Sequence, residues 1–552
     1  MLRYLRARDH RESLVALVLI LVIAVGFRGW LIASDAFSFE SDEAVVGLMA
    51  RHINQGRDIP TFYYGQDYMG SLDALLIAGG FRLLGESVDT IRVVQLGLYA
   101  LALLSGYALA LTVTRRRRTA LVALLLLAIP TALGTLYTGI TLGGYNEIVI
   151  LGNVVLLTGW QVTAGGRRDS WRWITLGLAA GLGWWTNGAI VMACGVVVLM
   201  GVWRFVWPGA GRGIPWRGIV LAAVAFMLGS APWWLHNLRH DWAAFEFLTS
   251  GFEPASGVEP ISPAESLIAL LALGLPALYG LRYPWQAGLA ASAGVILATL
   301  VYLVLVTDLL AGGYARLRGL NPNARNGSDR MARRWLWLVF GVFTLVFTLS
   351  SFSDATGRYL MPVWTPAAIG VALGVDRLRR AGWGAVALAL VILLTAQAGS
   401  AITAAHDATG LTPQLVERLR TPAEYDDAVI DFLAAEGYTH GYASYWTSFR
   451  LVFRAHEAVI LATALPYDDK GFHAGNDRYP RYTQEVNAAD RVVWITQNFP
   501  ELDAEIAAQL AAASITVQTR DFGPYRVYYD FSRRVAPADL GLTSPEARIT
   551  LR

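Results

Sequence analysis

Residues 37–80 read FSFESDEAVVGLMARHINQGRDIPTFYYGQDYMGSLDALLIAGG and form a long connection between two apolar runs. Ser41 is followed by Asp42 and Glu43, so we expect a helix with Ser41 as its N-cap and both acids in its first turn. Apolar residues recur at helical spacing over 45–53, which is typical of an amphipathic helix lying at a membrane interface. The two acids would then either complement the helix dipole or form a reactive site at the membrane surface.

The composition shows what kind of chain surrounds this stretch. Of the 552 residues, 55% are hydrophobic and 16% are charged, and the mean hydropathy is +0.43. Soluble proteins average about 25% charged residues, whereas runs of about 20 apolar residues are long enough to cross a bilayer. Such runs cover 14–33, 90–113, 119–138, 147–164, 173–187, 188–206, 217–235, 264–282, 286–310, 335–352, 359–376 and 382–403. We therefore expect a polytopic α-helical membrane protein, and the composition excludes a soluble, fibrous or disordered chain.

Arginines in short loops indicate the orientation, because basic residues near spans favour the cytoplasmic side. They place the N-terminus in the cytoplasm, together with 115–118, 167–168, 212–217, 316–334 and 377–380. Residues expected outside the cytoplasm are 35–89, 139–146, 237–263, 353–358 and everything after 403. Twelve spans would put both ends of the chain on the same side, whereas the arginines put them on opposite sides. We therefore expect 11 or 13 spans, with one run in 264–310 that does not cross or a further crossing hidden there. The expected location is the plasma (inner) membrane, and arginines that follow the loops rather than one basic face argue against a nucleic-acid partner.

The composition changes after about residue 404, where charge density becomes that of ordinary soluble sequence. Helical periodicity at 424–436 and 501–512 alternates with strand-like segments at 458–462, 492–496, 515–519 and 525–531. We expect a membrane module over 1–403, which includes the loop 35–89, and an extracytoplasmic α/β domain over 404–552. The sequence has no phosphate-binding loop and no Cys/His metal spacing.

Three further charged residues lie at predicted outer ends of spans. Glu147 begins an apolar run, where an acid is costly and therefore a functional candidate, unless it simply reaches interfacial water. Arg28 interrupts the outer end of the first span, and Arg358 precedes another span. Each guanidinium would either extend to the lipid headgroups or bind an anion, because its planar fork can bond two phosphate oxygens.

Aromatic residues accompany these charges in the first outside loop. Tyr63, Tyr64 and Tyr68 are typical of the aromatic belt at a membrane interface, with stacking on a sugar or packing against a lipid chain as the alternative. His52 is expected to be solvated. Acids and arginines thus gather at one predicted side of the membrane, as a reaction on a membrane-embedded anionic lipid would require.

SDEAVVGLMARHI (41–53), in a long first outside loop, resembles the C-type glycosyltransferase superfamily, and more narrowly glycosyltransferase family 39, the protein O-mannosyltransferase and lipid A aminoarabinose transferase branch. A group of uncharacterised bacterial relatives shares further motifs in the same order. In this chain they are FYYGQDYMGSLDA (62–74), GGYNE (143–147), GLGWW (181–185), GSAPWWLHNL (229–238), GRYLMPVWTP (357–366), YASYWTSFRLVF (442–453), NDRYPRY (476–482) and YRVYYDFSR (525–533). The resemblance therefore extends over nearly the whole chain.

The resemblance implies an integral membrane enzyme of 11 to 13 spans that takes a sugar from a polyprenyl-phosphate carrier to an extracytoplasmic acceptor. It gives Asp42 the position of the catalytic acid, Glu43 that of its structural neighbour, and Glu147 a place near the second acidic position. It places Arg358, and more loosely Arg28, near the carrier phosphate. The residues expected to line the substrate are Tyr63, Tyr64, Gln66 and Tyr68. No metal or other cofactor is expected, although some superfamily members use a divalent metal.

The tail departs from that of characterised transferases, so the resemblance does not identify the acceptor. The expected reaction is a single inverting displacement, in which Asp42 takes the proton of the acceptor hydroxyl. Lipid phosphate is a good leaving group, so no second carboxylate is needed as general acid, in contrast to glycosidases. The alternatives are a lipid-linked saccharide ligase or polymerase of the same superfamily, a non-enzymatic lipid or saccharide transporter, and a binding protein that has lost activity.

Overall fold

The protein is described by a computed structural model that covers 2–57, 59–166, 169–206, 214–250, 262–317, 327–349, 356–412, 414–467 and 471–543. The predicted loop 167–168 and parts of the loops 212–217, 237–263, 316–334 and 353–358 lie outside the described residues. Two compact units are present. The helical unit comprises 2–37, 68–70 and 92–411, and the sheet unit comprises 38–67, 71–91 and 412–543.

The helical unit contains a helix at each predicted apolar run. The α-helices are Leu2–Ala33, Val88–Thr114, Arg117–Ala128, Ala132–Tyr137, Tyr145–Val162, Ser170–Thr186, Ile190–Gly201, Trp216–Gly229, Ala231–Arg239, Ala243–Ser250, Pro263–Ala269, Leu275–Leu278, Ala293–Leu317, Gly327–Leu349, Trp364–Leu378 and Trp383–His406. π-Helical turns occur at Val202–Val206 and Leu270–Gly274, and 3-10 turns at Arg358–Val363 and Arg379–Ala381. These apolar helices confirm a multi-pass membrane protein.

Several of these helices are interrupted, and this affects the number of spans. Among the described residues, five helices are long and apolar enough to cross a membrane, or six if the pair Trp216–Gly229 and Ala231–Arg239, bent by 60°, is one span. The break near Pro130 likewise divides one predicted run into two helices, since proline cannot continue a hydrogen-bonded turn. The fully described stretch 262–317 contains no additional apolar helix, although 11 to 13 spans remain a prediction.

Two helices of the helical unit approach each other closely at glycines. A Cβ added to Gly177 or Gly181, on helix Ser170–Thr186, would lie 2.1 or 2.2 Å from a backbone carbonyl oxygen of helix Trp216–Gly229. Small residues four positions apart allow this backbone contact between membrane helices. Both positions therefore require glycine for packing, although their own backbone is ordinary helix.

The sheet unit is built on five strands, β1 (His440–Ser444), β2 (Ile460–Leu465), β3 (Val493–Gln497), β4 (Gln518–Phe522) and β5 (Tyr525–Tyr529). Their order is β2-β1-β3-β5-β4. Strand β1 is parallel to both β2 and β3, whereas β5 is antiparallel to its neighbours β3 and β4. The α/β character expected for the tail is confirmed, and β1 is a central strand that the sequence patterns did not predict.

The helices of the sheet unit come from two parts of the chain, the tail and the first long loop. The α-helices of the sheet unit are Ser41–Asn54, Leu72–Leu84, Ala423–Ala435, Tyr445–Arg454, Pro480–Ala488 and Pro500–Ala512, with 3-10 turns at Glu417–Leu419, Ala474–Asn476 and Pro537–Leu540. Most of the loop 35–89 thus packs with the tail in one unit. The sequence analysis grouped this loop with residues 1–403, whereas in the structure most of it packs with the tail. The division into functional domains stays a prediction.

The helix Ser41–Asn54 corrects two expectations. Its N-cap is Glu40, because the Ser41 hydroxyl donates 2.6 Å to the carbonyl oxygen of Tyr445 instead of capping the helix. The helix is also buried on nearly all sides, between Leu72–Leu84 and Tyr445–Arg454, rather than presenting one face to a membrane interface. Gly47 permits the contact with Tyr445–Arg454, because a Cβ at this position would lie 2.6 Å from the Phe453 ring.

Candidate functional site

Asp42 lies in the first turn of helix Ser41–Asn54, as the sequence predicted, and is half-buried. The Tyr445 hydroxyl donates to its Oδ1, and Gln414 Nε2 donates to its Oδ2 at 3.1 Å. Both donors come from the tail, and all three residues belong to the sheet unit. The carboxylate is therefore held in one orientation by a donor on each oxygen.

Two phenols and one guanidinium surround this carboxylate. The Tyr63 hydroxyl lies 3.2 Å from the Asp42 carbonyl oxygen and 3.3 Å from the Tyr445 hydroxyl. The Arg478 guanidinium lies over both phenol rings, at 5.9 Å from that of Tyr63 and 5.5 Å from that of Tyr445. Cation–π contacts of this kind hold a charged group beside aromatic rings. The cluster of Asp42, Tyr63, Tyr445 and Arg478 is called the acid site below.

Burial and the neighbouring carboxylate determine the protonation of the phenols. Burial, and then the negative charge of Asp42, raise the pKa of Tyr445 well above its ordinary value. Burial, followed by the neighbouring Tyr445 and Asp42, raises the pKa of Tyr63 in the same way. Both phenols therefore stay protonated at neutral pH and act as hydrogen-bond donors. Burial disfavours the charge of Arg478, but the phenols and Asp42 outweigh it and raise its pKa.

This arrangement can perform proton transfer. A half-buried carboxylate, oriented by two neutral donors, has the chemistry of a general base for a hydroxyl group. Glu43, by contrast, is fully buried in the sheet unit. Its role as a structural neighbour, rather than a group that contacts substrate, remains a prediction.

A second network in the sheet unit contains Tyr64. Its hydroxyl lies 2.8 Å from Nδ1 of His52, whose Nε2 lies 3.1 Å from Glu457. Arg57 and Tyr482 also donate to Glu457, at 2.8 and 2.9 Å. The histidine is fully buried rather than solvated, because the tail covers its helix.

Glu457 is strongly acidic in this network. Burial alone would raise its pKa, but hydrogen bonds from His52, Arg57 and Tyr482 hold it at about 2. The Tyr64 ring stacks on Tyr479 at 4.9 Å between centroids. The structure thus places Tyr64 in an internal network, and a substrate-lining role stays a prediction.

The other two predicted substrate-lining residues have different positions. Gln66 lies in a turn of the sheet unit, where its backbone N–H donates 3.0 Å to the carbonyl oxygen of Tyr63, and the residue is half-buried. Tyr68 is half-buried and belongs to the helical unit. The four predicted residues are therefore distributed over the two units.

Arg28 is enclosed in the helical unit. It is 1% exposed, and its guanidinium donates to the Thr135 carbonyl and, at 2.7 Å, to the Thr138 hydroxyl. It also lies over the Tyr99 ring at 4.7 Å. Gly139 makes room for it, since a Cβ there would lie 2.6 Å from its Nη1. Extension to the lipid headgroups, one of the two sequence-based alternatives, is therefore wrong.

Glu147 and Arg358 both lie at helix starts in the helical unit. Glu147 is 3% exposed in the first turn of Tyr145–Val162, directly after Gly143 and Gly144, which have positive φ. Arg358 is half-buried and begins a 3-10 turn, and its guanidinium lies 4.9 Å from the Tyr359 ring. This turn contacts the helix of Glu147, so the fold brings the two regions together.

Sequence reasoning did not identify Tyr445, Arg478 and Gln414 as site residues. Tyr445 occurs in YASYWTSFRLVF (442–453) and Arg478 in NDRYPRY (476–482). In both motifs the sequence signal was a polar side chain among aromatic residues. No group of three or more His, Cys, Asp or Glu side chains suited to a metal occurs in the part of the chain that the structure describes. The expectation that no metal is needed stays a prediction.

Comparisons with known proteins extend this picture. No protein-family model matches the sequence, and no curated protein matches it. Among solved structures, ArnT from Cupriavidus metallidurans bound to undecaprenyl phosphate matches with a TM-score of 0.59 and 16% identity, over 93% of this chain and 97% of that chain. The archaeal oligosaccharyltransferase AglB from Archaeoglobus fulgidus, in complex with an inhibitory peptide and a dolichol-phosphate, matches with a TM-score of 0.50 and 14% identity, over 95% and 74%. This chain has the fold of the C-type membrane glycosyltransferases.

Proposed function

We propose that this protein is a membrane glycosyltransferase that moves a sugar from a polyprenyl-phosphate carrier to an extracytoplasmic acceptor in the cell envelope. The acceptor would be a glycan, a lipid or a protein. The observation that carries the proposal is the Asp42 carboxylate, oriented by Tyr445 and Gln414 in a chain of this fold. The polyprenyl phosphates present in the ArnT and AglB structures support the class of donor.

The proposed chemistry is a single displacement. Asp42 accepts the proton of an acceptor hydroxyl while its oxygen forms a bond to the anomeric carbon. The bond from that carbon to the phosphate oxygen breaks, the lipid phosphate leaves with the electron pair, and the configuration inverts. Tyr445 keeps the carboxylate in position because it stays protonated. Charge compensation by preorganised donors is the largest contribution in many such sites.

The charge of the departing phosphate requires a cation. Arg358 is our candidate because this residue is half-buried at the start of a 3-10 turn, whereas Arg28 is 1% exposed inside the helical unit. The displacement uses no metal ion, so we expect the activity to persist in a chelator. The proposal includes the topology that the arginine-rich loops predict, with the N-terminus in the cytoplasm and the residues after 403 outside the plasma (inner) membrane.

The test is a transfer assay with the full chain in lipid nanodiscs. Polyprenyl-phosphate sugars are supplied as a panel, together with membrane and cell-wall extracts as acceptors. Asp42→Asn removes the base and should lower the rate about 10²- to 10⁴-fold. Asp431→Asn, at an exposed acid of the same unit, is the matched control and should be fully active.

The outcomes separate the alternatives. A product heavier by one sugar supports a transferase, whereas addition of a whole chain identifies a ligase or polymerase. Unchanged turnover in Asp42→Asn would remove the base from the mechanism. Movement of a lipid or saccharide across the bilayer without any bond formed would support a transporter.

A further inference from the structure

A crevice lies at the carboxyl ends of the three parallel strands of the sheet unit. Its walls include Ser444 at the end of β1, Leu465 at the end of β2, and Thr496 and Gln497 at the end of β3. The space is about 300 Å³, which includes the open solvent in front of the crevice, so a ligand would lie against its walls rather than be enclosed. None of the predicted site residues lines it.

The topology favours a ligand at this place. From β1 the chain passes through a helix to β2 on one side, and from β2 it passes through another helix to β3 on the other side of β1. The direction of winding therefore reverses between β1 and β3. In open α/β sheets, ligands bind outside the carboxyl ends of the strands at such a reversal.

The lining indicates the class of ligand. Trp446 and Tyr467 provide two aromatic rings, 5.9 Å apart and nearly perpendicular, and Arg418 provides a cation. The Arg418 guanidinium lies over the Phe499 ring at 5.6 Å. Aromatic faces with a few polar groups suit a hydroxylated ring, whose C–H face packs on the aromatics while its oxygens accept hydrogen bonds.

The same lining argues against a nucleotide. A dinucleotide site needs a glycine-rich turn after the first strand, so that the pyrophosphate can approach the helix N-terminus. Here β1 is followed directly by Tyr445 and Trp446, without a glycine-rich turn. The Gln497 side chain in the lining is held at both ends, since it accepts from Thr447 at 2.8 Å and donates to Thr421 at 2.8 Å.

The crevice is connected to the acid site through two short segments. Tyr445, which donates to Asp42, stands between the crevice residues Ser444 and Trp446, and its ring lies 4.7 Å from that of Trp446. Gln414, the other donor to Asp42, precedes Arg418 by one short segment. Tyr445 and Gln414, the two donors that orient Asp42, therefore lie on the same chain segments as the crevice residues Trp446 and Arg418.

We propose that this crevice is a saccharide-binding subsite that holds the acceptor. The inference rests on the proposed transferase function and specifies its acceptor as a sugar ring, whether part of a free glycan or of a lipid-linked saccharide. An acceptor ring packed on Trp446 contacts the element that also carries Tyr445. Occupancy of the crevice and orientation of Asp42 are then coupled through the residues Ser444 to Trp446.

Binding can be measured without any turnover. Saturation-transfer NMR on the full chain in nanodiscs would use methyl mannoside, methyl galactoside, N-acetylglucosamine disaccharide and an arabinan oligosaccharide, each free and lipid-linked. We expect at least one probe to bind, and Trp446→Leu and Arg418→Gln to weaken it about tenfold or more. Arg520→Gln is the matched control, because this arginine also lies over aromatic rings but far along the sheet on β4. Trp446→Phe should restore most binding if Trp446→Leu misfolds.

The outcomes distinguish this inference from the proposed function. Saccharide binding that is lost in the crevice variants and kept in Asp42→Asn supports the subsite, even if no transfer is ever observed. In a transfer assay the crevice variants should raise the KM for the acceptor and leave kcat nearly unchanged. Binding of no probe up to its solubility limit, or equal binding by wild type, Arg418→Gln and Trp446→Leu, would overturn the subsite. Stronger binding of the lipid-linked forms would identify the lipid-linked saccharide as the source.

Discussion

Replacement of Tyr445 by phenylalanine tests whether the acid site works as a unit. The change removes one hydroxyl, whose hydrogen bond fixes Oδ1 of Asp42, and keeps the ring that contacts Trp446. Hydrogen bonds to charged groups contribute about 1.5–3 kcal/mol. Because Asp42 is half-buried and Gln414 still donates to Oδ2, water can replace part of the loss.

We therefore expect the lower part of that range to appear in the rate. At about 1.4 kcal/mol for each factor of ten, Tyr445→Phe should lower kcat about 10- to 30-fold, less than Asp42→Asn. The assay is single-turnover transfer, so that product release does not hide the chemical step. Thermal unfolding of the same preparation shows whether the fold is intact.

Tyr442→Phe is the matched control, because that hydroxyl donates 2.8 Å to Asn487 from strand β1. Tyr442→Phe also removes one tyrosine hydroxyl, but the transfer rate should stay unchanged. Full activity of Tyr445→Phe would refute the orienting role of the phenol. A loss as large as that of Asp42→Asn would show that the phenol takes part in proton transfer itself.

Three further predictions concern the two networks and the membrane helices. Glu457→Gln should lower the free energy of unfolding by roughly 2–3 kcal/mol. In the wild type the stability from this acid is present above pH 4.5 and lost as the pH falls toward 2, because folding lowers its pKa from 4.5 to about 2, which acid titration of unfolding checks. Gly181→Ala should destabilise the helical unit by about 1–3 kcal/mol, whereas Gly152→Ala, with open space beside it, should not, as measured by thermal unfolding. Arg28→Gln should lower the melting temperature, because it removes hydrogen bonds inside the helical unit, while Arg358→Gln should raise the KM for the lipid donor in the transfer assay.

The membrane helices were predictable because their signal is local. A run of about 20 apolar residues has one stable solution in a bilayer, since only a helix satisfies every backbone hydrogen bond within itself. Their interruptions were not predictable. The 60° bend after Gly229 depends on how the following helix packs, which no window of sequence contains.

The central strand β1 shows the opposite case. Its sequence HGYAS is short, with little β-branched character, and lacks the usual pattern of a strand. It is a strand because β2 and β3 flank it, and Gly441 permits the close approach, with a virtual Cβ only 2.6 Å from the Val493 carbonyl oxygen. Here tertiary packing outweighs local propensity.

The acid site was half predictable for a similar reason. Asp42 stood out because it opens a helix in the long loop, and that position is confirmed. Its partner Tyr445 follows it by 403 residues, so their contact depends on the packing of the whole sheet unit. Composition and periodicity describe each segment separately, and neither indicates that these two segments meet.

The long separation also has a consequence for how the chain is made. The helix that carries Asp42 leaves the ribosome early, whereas the residues that cover it and orient its carboxylate follow residues 92–411 of the helical unit. Until the last part is synthesised, the apolar sides of this helix lack their cover and the acid lacks its donors. A chain that stops before Tyr445 therefore carries Asp42 without the hydroxyl that orients its carboxylate, and under the proposed function it would not transfer sugar.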